Sequence, residues 1–427
     1  MSTKIALARD LGTTDAVVIG LGSMIGAGVF AAFGPAAEAA GSGLLIGLML
    51  AAVIAYCNAV ASAQLAAAYP VSGGTYTYGR ERLGPWWGFM AGWGFVIGKT
   101  ASCTAMALTA ASYAIPDPWW AQRGVAVAMV VALAALNYRG VTKTAFLARI
   151  LVSITLACLA VVIVAILLFG DPQRSNLDGW SSAGHGGLYG VLQAAGLLFF
   201  AFAGYARIAT MGEEVRDPAR TIPRAIPIAL FITVGVYTLI AISALLAAGP
   251  ERLAASTAPL VTAVQAASVG GIAPIVRIGG IVASLGALLA LIAGIGRTSL
   301  AMARNCDLPT WLADVHPRYR VPHHAEVALA VVVSALVLVT DLRGAIGFSS
   351  FGVLVYYAIA NASAFTQTGD QRRWPRALNV LGLGGCLVLV ATLPVQAVIA
   401  GIIMFAIGLI GRFIVLQRRN VASEPTI

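Results

Sequence analysis

The fold of this chain is set by one stretch, Gly20-Leu-Gly-Ser-Met-Ile-Gly-Ala-Gly-Val-Phe30, which lies inside the first long apolar segment. It places four glycines in the nine positions from Gly20 to Gly28. Hydrocarbon offers no water to backbone groups that a helix break sets free, so a broken membrane helix must line a cavity. The free N–H groups of Gly26, Ala27 and Gly28 would form the positive end of a half-helix, which suits an anionic group. An interrupted span of this kind is typical of the binding site of a secondary transporter.

The composition predicts an all-α polytopic membrane protein. Of the 427 residues, 59% are hydrophobic and only 10% are charged, whereas soluble domains carry about 25% charged residues. A span needs about 20 residues, and the chain has room for about twelve in a single transporter domain. Their predicted cores are 13–38, 42–67, 84–114, 121–138, 142–169, 189–211, 223–248, 275–303, 324–340, 346–366, 376–393 and 395–416.

The distribution of charge explains the net charge of +10 without a nucleic-acid partner. With the N-terminus inside and the spans alternating, only five of the 27 Lys and Arg residues fall outside the cell: Arg123, Arg174, Arg252, Arg277 and Arg343. Lys99 and Arg207 lie within spans, and the others fall on the cytoplasmic side. This positive-inside bias predicts an inner (plasma) membrane protein with both termini in the cytoplasm.

The sixth span contains a second irregularity. Gly204 lies in mid-span, and a charged residue, Arg207, follows three positions later. Five spans plus five, each set opened by a broken helix, would give an inverted repeat over 13–169 and 189–366, with two further helices over 376–416. The alternative is that these glycines merely allow neighbouring helices to pack closely.

Four motifs at these places resemble the amino acid–polyamine–organocation transporters, which share the leucine-transporter fold. The first is Gly22-Ser-Met-Ile-Gly-Ala-Gly-Val-Phe30, and the second is Tyr69-Pro-Val-Ser-Gly-Gly-Thr-Tyr76. The third joins Phe199-Phe-Ala-Phe-Ala-Gly-Tyr205 to Glu213-Glu-Val-Arg-Asp-Pro-Ala-Arg-Thr-Ile-Pro-Arg-Ala225, and the fourth is Ala301-Met-Ala-Arg-Asn-Cys-Asp-Leu-Pro309. The resemblance implies a secondary active transporter of amino acids that works by alternating access.

The resemblance also implies a substrate site built from main-chain groups. The carboxylate of the amino acid would bind the amides around Gly26, and its ammonium would bind four exposed carbonyls at the two breaks. Those carbonyls belong to Met24, Phe200, Ala201 and Ala203. The implied site residues are Met24, Ile25, Gly26, Ala27, Gly28, Phe200, Ala201, Ala203 and Gly204. Phe200 resembles the aromatic residue that closes the site from outside, although ordinary core packing would also explain it.

The coupling group cannot be carried over from the family. Thr155 stands where proton-coupled members often have a lysine in helix five, and Lys99 lies near the middle of the third span instead. A cation at that depth costs about 2.5–3.5 kcal/mol on insertion scales. A buried lysine can lose its proton in the physiological range, so Lys99 is the first candidate for proton coupling; the alternative is a purely structural lysine. A sodium requirement would point instead to Thr155 and Ser284 as oxygen ligands.

The charges within the spans predict the substrate class. Arg207 is expected to pair with an acid on the cytoplasmic half, with Asp15 and Glu213 as candidates; the alternative is that it binds a substrate carboxylate. No span carries an acid at mid-depth. We therefore expect neutral amino acids, with acidic ones as a further option. Exchange of cationic amino acids or polyamines is the second choice, although Ala206 stands where cationic-substrate members often have an acid.

Two other classes of function fit the sequence poorly. An intramembrane enzyme needs converging nucleophiles, carboxylates or metal ligands at depth, and a sensor or channel needs a signalling domain or a selectivity filter. The chain is therefore not expected to be an enzyme or to hold a cofactor. His316, His323 and His324 follow the eighth span in a spacing that matches no familiar metal site, so no metal is expected either.

Overall fold

The computed structural model describes residues 11–70, 73–139, 145–181, 187–212 and 214–422. The described part is helical, and its one β-type feature is an isolated bridge between Leu11 and Val215. The α-helices are α1 (Thr13–Met24), α2 (Ala27–Ala31), α3 (Phe33–Ala40), α4 (Leu44–Ala68), α5 (Thr75–Leu83), α6 (Pro85–Ala114), α7 (Trp119–Tyr138), α8 (Ala145–Val164), α9 (Gly187–Phe202), α10 (Ala206–Ala209), α11 (Pro218–Ala254), α12 (Pro259–Ala266), α13 (Ala273–Arg304), α14 (His323–Val339), α15 (Leu342–Phe365), α16 (Arg376–Thr392) and α17 (Val395–Ala422).

The predicted class, an all-α polytopic membrane protein, is confirmed. Within the described ranges, nine helices are long and apolar enough to cross a membrane. The shorter apolar helices α14 and α16 and the Lys99-bearing α6 coincide with the predicted ninth, eleventh and third spans. Residues 142–144 of the predicted fifth span lie outside the described residues.

Helix α6 lies at the centre of the bundle and packs against α13 and α15. Small residues bring it close to α15: a Cβ on Gly352 would lie 2.7 Å from the Gly94 carbonyl oxygen and 3.0 Å from Gly98 Cα. Two helices can approach so closely only where neither has a side chain. This contact fixes α6 along its length and so positions Lys99, one residue beyond Gly98.

Candidate functional site

The first helix is broken where the glycines predict. Helix α1 ends at Met24, and α2 begins at Ala27. Between them, Ile25 (φ −80°, ψ 60°) and Gly26 (φ −109°, ψ −141°) leave helical geometry. Ala32 keeps helical dihedral angles, so α2 continues almost directly into α3.

The second irregularity lies at the predicted position but is milder than the first. Helix α9 ends at Phe202, a single 3₁₀ turn covers Ala203–Tyr205, and α10 follows. Phe202, Tyr205 and Ala206 keep helical dihedral angles, so this second break is a tightened turn and not an unwound segment. A Cβ on Gly204 would lie only 2.1 Å from the Ser23 carbonyl oxygen and 2.5 Å from the Met24 nitrogen. Gly204 therefore lets the second break lie directly on the backbone of the first.

One of the three amides that we expected to be free is already bonded. The Gly26 N–H donates to the Met24 carbonyl oxygen at 2.8 Å, because the chain turns back over two residues at Ile25. Among the described residues, the N–H groups of Ala27 and Gly28 have no hydrogen-bond acceptor. They open a helix, where N–H groups lack partners within the helix.

The carbonyls at the breaks are held by buried tyrosines that the sequence analysis missed. The Tyr237 hydroxyl lies 2.6 Å from the Met24 oxygen and 3.1 Å from the Ala201 oxygen. A hydroxyl has one proton, so Tyr237 donates to one of them at a time. The Tyr357 hydroxyl donates to the Ala203 oxygen at 3.3 Å. The available signal was weak: a tyrosine within an apolar span needs a partner for its hydroxyl, but the sequence does not say which one.

Both breaks open onto one cavity between α1, α2, α6, α9, α10 and α13. Its described lining residues are Ser23, Met24, Gly26, Ala27, Gly28, Gly73, Phe95, Lys99, Ser102, Met106, Phe200, Ala201, Ala203, Gly204, Ala206, Arg207, Thr210, Ala287, Ala290, Leu291, Gly294, Arg297 and Thr298. The cavity thus gathers every residue of the predicted substrate site except Ile25, which lines a second, smaller cavity. None of the described lining residues is an Asp or a Glu.

Two of the lining glycines are packed against neighbouring helices. A Cβ on Gly28 would lie 2.5 Å from Ala201 Cα and Cβ, and one on Gly26 would lie 2.6 Å from Ala287 Cβ. Close helix packing, the alternative explanation for these glycines, therefore applies to both positions. A large substitution at either one would displace a helix as well as fill the cavity.

Lys99 lies in this cavity, beside the second break. Its ammonium donates to the Ala203 carbonyl oxygen at 3.3 Å, and its side chain is almost completely buried, with 6% exposed. Among the described residues, no carboxylate lies within ion-pair distance of Lys99. The same Ala203 oxygen is one of the four predicted to receive the ammonium of the substrate.

The acid beside Arg207 is Glu214, so the proposed pairing with Asp15 is wrong. Arg207 Nη2 lies 3.4 Å from Glu214 Oε2, while Asp15 pairs with Arg149. Arg297, on α13, lies nearer still, with its Nη1 2.7 Å from Glu214 Oε1. The other suggested partner of Arg207, Glu213, lies outside the described residues.

The Glu214 carboxylate is held in its charged form. Burial raises the pKa of Glu214, but the charges of Arg207 and Arg297 and their hydrogen bonds outweigh it. The net pKa therefore lies below the ordinary value of 4.5.

The two residues suggested for sodium do not line the main cavity. Thr155 lines the smaller cavity between α1, α8 and α13, and its hydroxyl donates to the Leu151 oxygen at 2.8 Å. Ser284 lines neither cavity; it is fully buried, and its hydroxyl has no hydrogen-bond partner in the described part of the chain.

Phe200, the predicted gate, is buried and lines the cavity at the α9 wall.

Tyr113, near the end of α6, forms hydrogen bonds with residues of α2, α12 and α13. Its hydroxyl donates to the Phe30 oxygen at 2.8 Å and accepts from the Leu260 N–H at 3.3 Å, and its own carbonyl accepts from Arg277. The opposite end of the cavity carries Arg297, whose side chain is 45% exposed.

Comparison with known proteins extends over nearly the whole chain. A family model described as amino acid permease matches residues 11–424. An uncharacterized transporter of Mycobacterium tuberculosis is 58% identical over 425 residues, covering 98% of this chain and 95% of the relative. The branched-chain amino acid permease of Bacillus subtilis is 25% identical over 450 residues, with the same coverage. Cationic amino acid transporter 7 of Arabidopsis thaliana is 28% identical over 396 residues, which is 86% of this chain and 67% of that protein.

Proposed function

We propose that the chain, which belongs to the amino acid permease family, carries neutral amino acids across the plasma membrane by alternating access. Membership of the family makes it a multi-pass membrane transporter of amino acids and not an enzyme. The substrate class, the coupling ion, the orientation with both termini in the cytoplasm and the inverted repeat over 13–169 and 189–366 are parts of the proposal.

The charge of the cavity carries the choice of substrate. Lys99, Arg207 and Arg297 line it, and no described lining residue is acidic. Glu214 pairs with both arginines from outside the lining, so it offsets only one of these three positive charges. A lysine, arginine or polyamine substrate would bring further positive charge into a poorly screened space, where like charges repel strongly. A neutral side chain meets no such penalty, and the wall near Met106 and Phe200 offers it apolar contacts.

The relatives support both substrate classes that the sequence left open. One is named for branched-chain and another for cationic amino acids, at similar identity to this chain. The absence of a carboxylate from the described cavity lining favours the first class. Cationic exchange therefore becomes an outcome of the test below.

In the proposed complex the substrate lies across the two breaks. Its carboxylate binds the N–H groups of Ala27 and Gly28, and its ammonium takes the place of Lys99 at the Ala203 oxygen. That oxygen has two lone pairs and already accepts from both Tyr357 and Lys99, so the substrate binds there only when Lys99 withdraws. The full proposed site is Met24, Ile25, Gly26, Ala27, Gly28, Phe200, Ala201, Ala203 and Gly204, with Phe200 as the gate.

Lys99 is the proposed coupling group. A charged Lys99 competes with the substrate ammonium for the Ala203 oxygen, to which it donates at 3.3 Å. Loss of its proton removes the positive charge and weakens its hydrogen bond to that oxygen, so protonation and substrate binding oppose each other at one atom. Sodium remains the alternative ion, with Thr155 and Ser284 as its ligands.

Binding and transport of a defined substrate panel test this function. Purified protein is heated with leucine, alanine, glutamate, lysine or putrescine, and ligands that raise the melting temperature are then used for counterflow in proteoliposomes. A ligand that binds only the folded state stabilises it. We expect leucine and alanine to stabilise the protein and to be exchanged. Stabilisation by lysine or putrescine alone would replace the proposal with cationic exchange.

A further inference from the structure

Two arginines of the cavity share a single carboxylate. Arg297 Nη1 lies 2.7 Å from Glu214 Oε1, and Arg207 Nη2 lies 3.4 Å from Oε2 and 3.5 Å from Oε1 of the same group. Arg207 also donates to the Thr210 hydroxyl at 3.4 Å. Both arginines line the cavity, whereas Glu214 reaches them from the turn that follows α10. This cluster therefore carries two positive charges and one negative charge.

Arg297 is too far from the amides of the first break for one carboxylate to contact both. Ala287 lies beside Gly26, and Arg297 follows it by ten positions on α13. At 1.5 Å per residue, they are separated by about 15 Å along the helix axis. Ala290, Leu291 and Gly294 lie between them and line the same cavity. Arg207, just after the second break, lies between the two ends, so Arg297 and Arg207 mark a further position along one continuous path.

From this arrangement we propose that Arg207 and Arg297 form a second carboxylate-binding position, and that Glu214 occupies it when no ligand is present. An amino acid that moves from the breaks toward this end binds its carboxylate to the two guanidinium groups in place of Glu214. The inference rests on the proposed function in one respect, namely that an amino acid travels along this cavity.

The chemistry of the cluster supports this exchange. A guanidinium group presents paired N–H donors that match the two oxygens of a carboxylate. A ligand carboxylate that replaces Glu214 keeps one negative charge between the two guanidinium groups, so the exchange leaves the charge of the cluster unchanged. The backbone of Glu214 is held by the hydrogen bonds Leu11 N–H to Glu214 O (3.2 Å) and Glu214 N–H to Met211 O (2.9 Å). Exchange therefore requires only that the Glu214 side chain swings away.

Propionate, a carboxylate without an ammonium group, probes this position, and variants of Glu214 and Arg297 separate it from the amides at the first break. We would measure propionate binding by calorimetry at constant ionic strength. Glu214→Gln removes the internal competitor and keeps its shape, so we expect it to bind propionate at least about tenfold more tightly than the wild type. Adding Arg297→Gln should abolish that gain. Adding Arg304→Gln should not, because Arg304 lies at the exposed end of the same helix and does not line the cavity.

A second measurement covers the case in which Glu214→Gln does not fold. In the wild type, propionate should inhibit counterflow of the transported amino acid, and Arg297→Lys, which keeps the charge but loses the paired donors, should weaken that inhibition at least threefold. Unchanged propionate affinity in Glu214→Gln, or a gain that survives Arg297→Gln, would overturn the inference. Amino acid binding without these propionate effects would leave the proposed function intact, whereas propionate effects without amino acid transport would count against the function alone.

Discussion

Gly28 and Gly294 both line the cavity, but a methyl group would have opposite effects at the two positions. A Cβ on Gly28 would lie 2.5 Å from Ala201 Cα, whereas a Cβ on Gly294 would meet no atom within 4 Å. The first contact involves backbone, which can yield only if α9 moves. At Gly294 a side chain would instead reduce the entropy that a helical glycine loses on folding.

Alanine substitutions should therefore separate the two glycines by stability. We expect Gly28→Ala to lower the stability by about 1–3 kcal/mol, as overpacked cores do. Gly294→Ala should raise it by about 0.5–1 kcal/mol. Thermal unfolding in detergent measures both changes. Equal melting temperatures for the two variants would contradict the close contact at Gly28.

Tyr237 offers a second test at the scale of the residue. Tyr237→Phe removes the one described side-chain hydroxyl that bonds to the Met24 and Ala201 oxygens. A buried acceptor left unpaired costs about 1–3 kcal/mol, so the melting temperature should fall. Tyr69→Phe is the control, because the Tyr69 hydroxyl makes no hydrogen bond within the described residues. An equal effect of both variants would show that Tyr237 does not tie the breaks together.

The site could be predicted from the sequence where local chemistry dictates it. Gly26 and Gly204 mark the two breaks, because a Cβ at either position would overlap a neighbouring helix. The partners of these breaks depend on how distant helices pack, so the sequence does not show that the Tyr237 hydroxyl reaches the Met24 and Ala201 oxygens. Glu213 and Glu214 differ by one position, and only the folded turn shows that Glu214 is the residue beside Arg207.

At the scale of the element, α17 is joined to the rest of the bundle through a buried ion cluster. Asp307, just after α13, accepts from the Tyr76 hydroxyl at 2.8 Å and from Arg80 at 2.9 Å. Arg412 of α17 brings its Nη1 to 2.7 Å from the other Asp307 oxygen, in an ion pair with 7% of the arginine side chain exposed. Its guanidinium group also lies over the Phe89 ring, 4.7 Å from the ring centroid.

Loss of the central carboxylate should destabilise this end of the molecule. Asp307→Asn leaves Arg412 charged and buried without its counter-ion, which costs about 3–5 kcal/mol for buried pairs. The control is Arg220→Gln in the exposed pair with Asp217, where 79% of the arginine side chain is accessible. Exposed pairs contribute about 0–1 kcal/mol. Similar melting temperatures for the two variants would show that the Asp307 cluster does not anchor α17.

Hydropathy predicted the helices well but could not give their full extent. The predicted span 223–248 is the apolar part of α11, which runs from Pro218 to Ala254 with a kink at Gly249 (φ 72°). Helix α5 is too short and polar to be recognised as a span, yet it supplies Tyr76 and Arg80 to the Asp307 cluster. A hydropathy profile detects apolar segments that lie in the bilayer, so it does not detect polar helical turns outside it.

At the scale of the whole molecule, proton-driven transport requires that the coupling group change its protonation state, whereas other charged groups stay ionised. The pKa of Glu214, which Arg207 and Arg297 lower, places it among the groups that stay ionised. Ionised Glu214 stabilises the folded protein at any pH above its pKa in the unfolded chain, 4.5. This stabilisation is lost as the pH falls through the lower pKa that Glu214 has in the folded protein. Between about pH 5.5 and 8 it stays ionised. Glu214→Gln should therefore change the rate of uptake but leave the shape of its pH profile unaltered; a displaced midpoint would assign a coupling role to Glu214.

Lys99 is the group whose protonation state must change if protons drive the transport cycle. A group can couple protons to transport only if its proton affinity differs between the two faces of the cycle. We expect Lys99→Met to bind substrate at least as tightly as the wild type, because the Ala203 oxygen is then left to the substrate ammonium. The variant should also lose both the pH dependence of uptake and accumulation against a gradient.

Lys99→Arg keeps a permanent charge, so this variant should bind the substrate more weakly than the wild type and lose the same pH dependence. Uptake by all three proteins is compared across pH in sodium-free buffer. A Lys99→Met profile identical to the wild type would leave Lys99 a structural cation, and sodium-dependent uptake by the wild type would direct attention to Thr155 and Ser284.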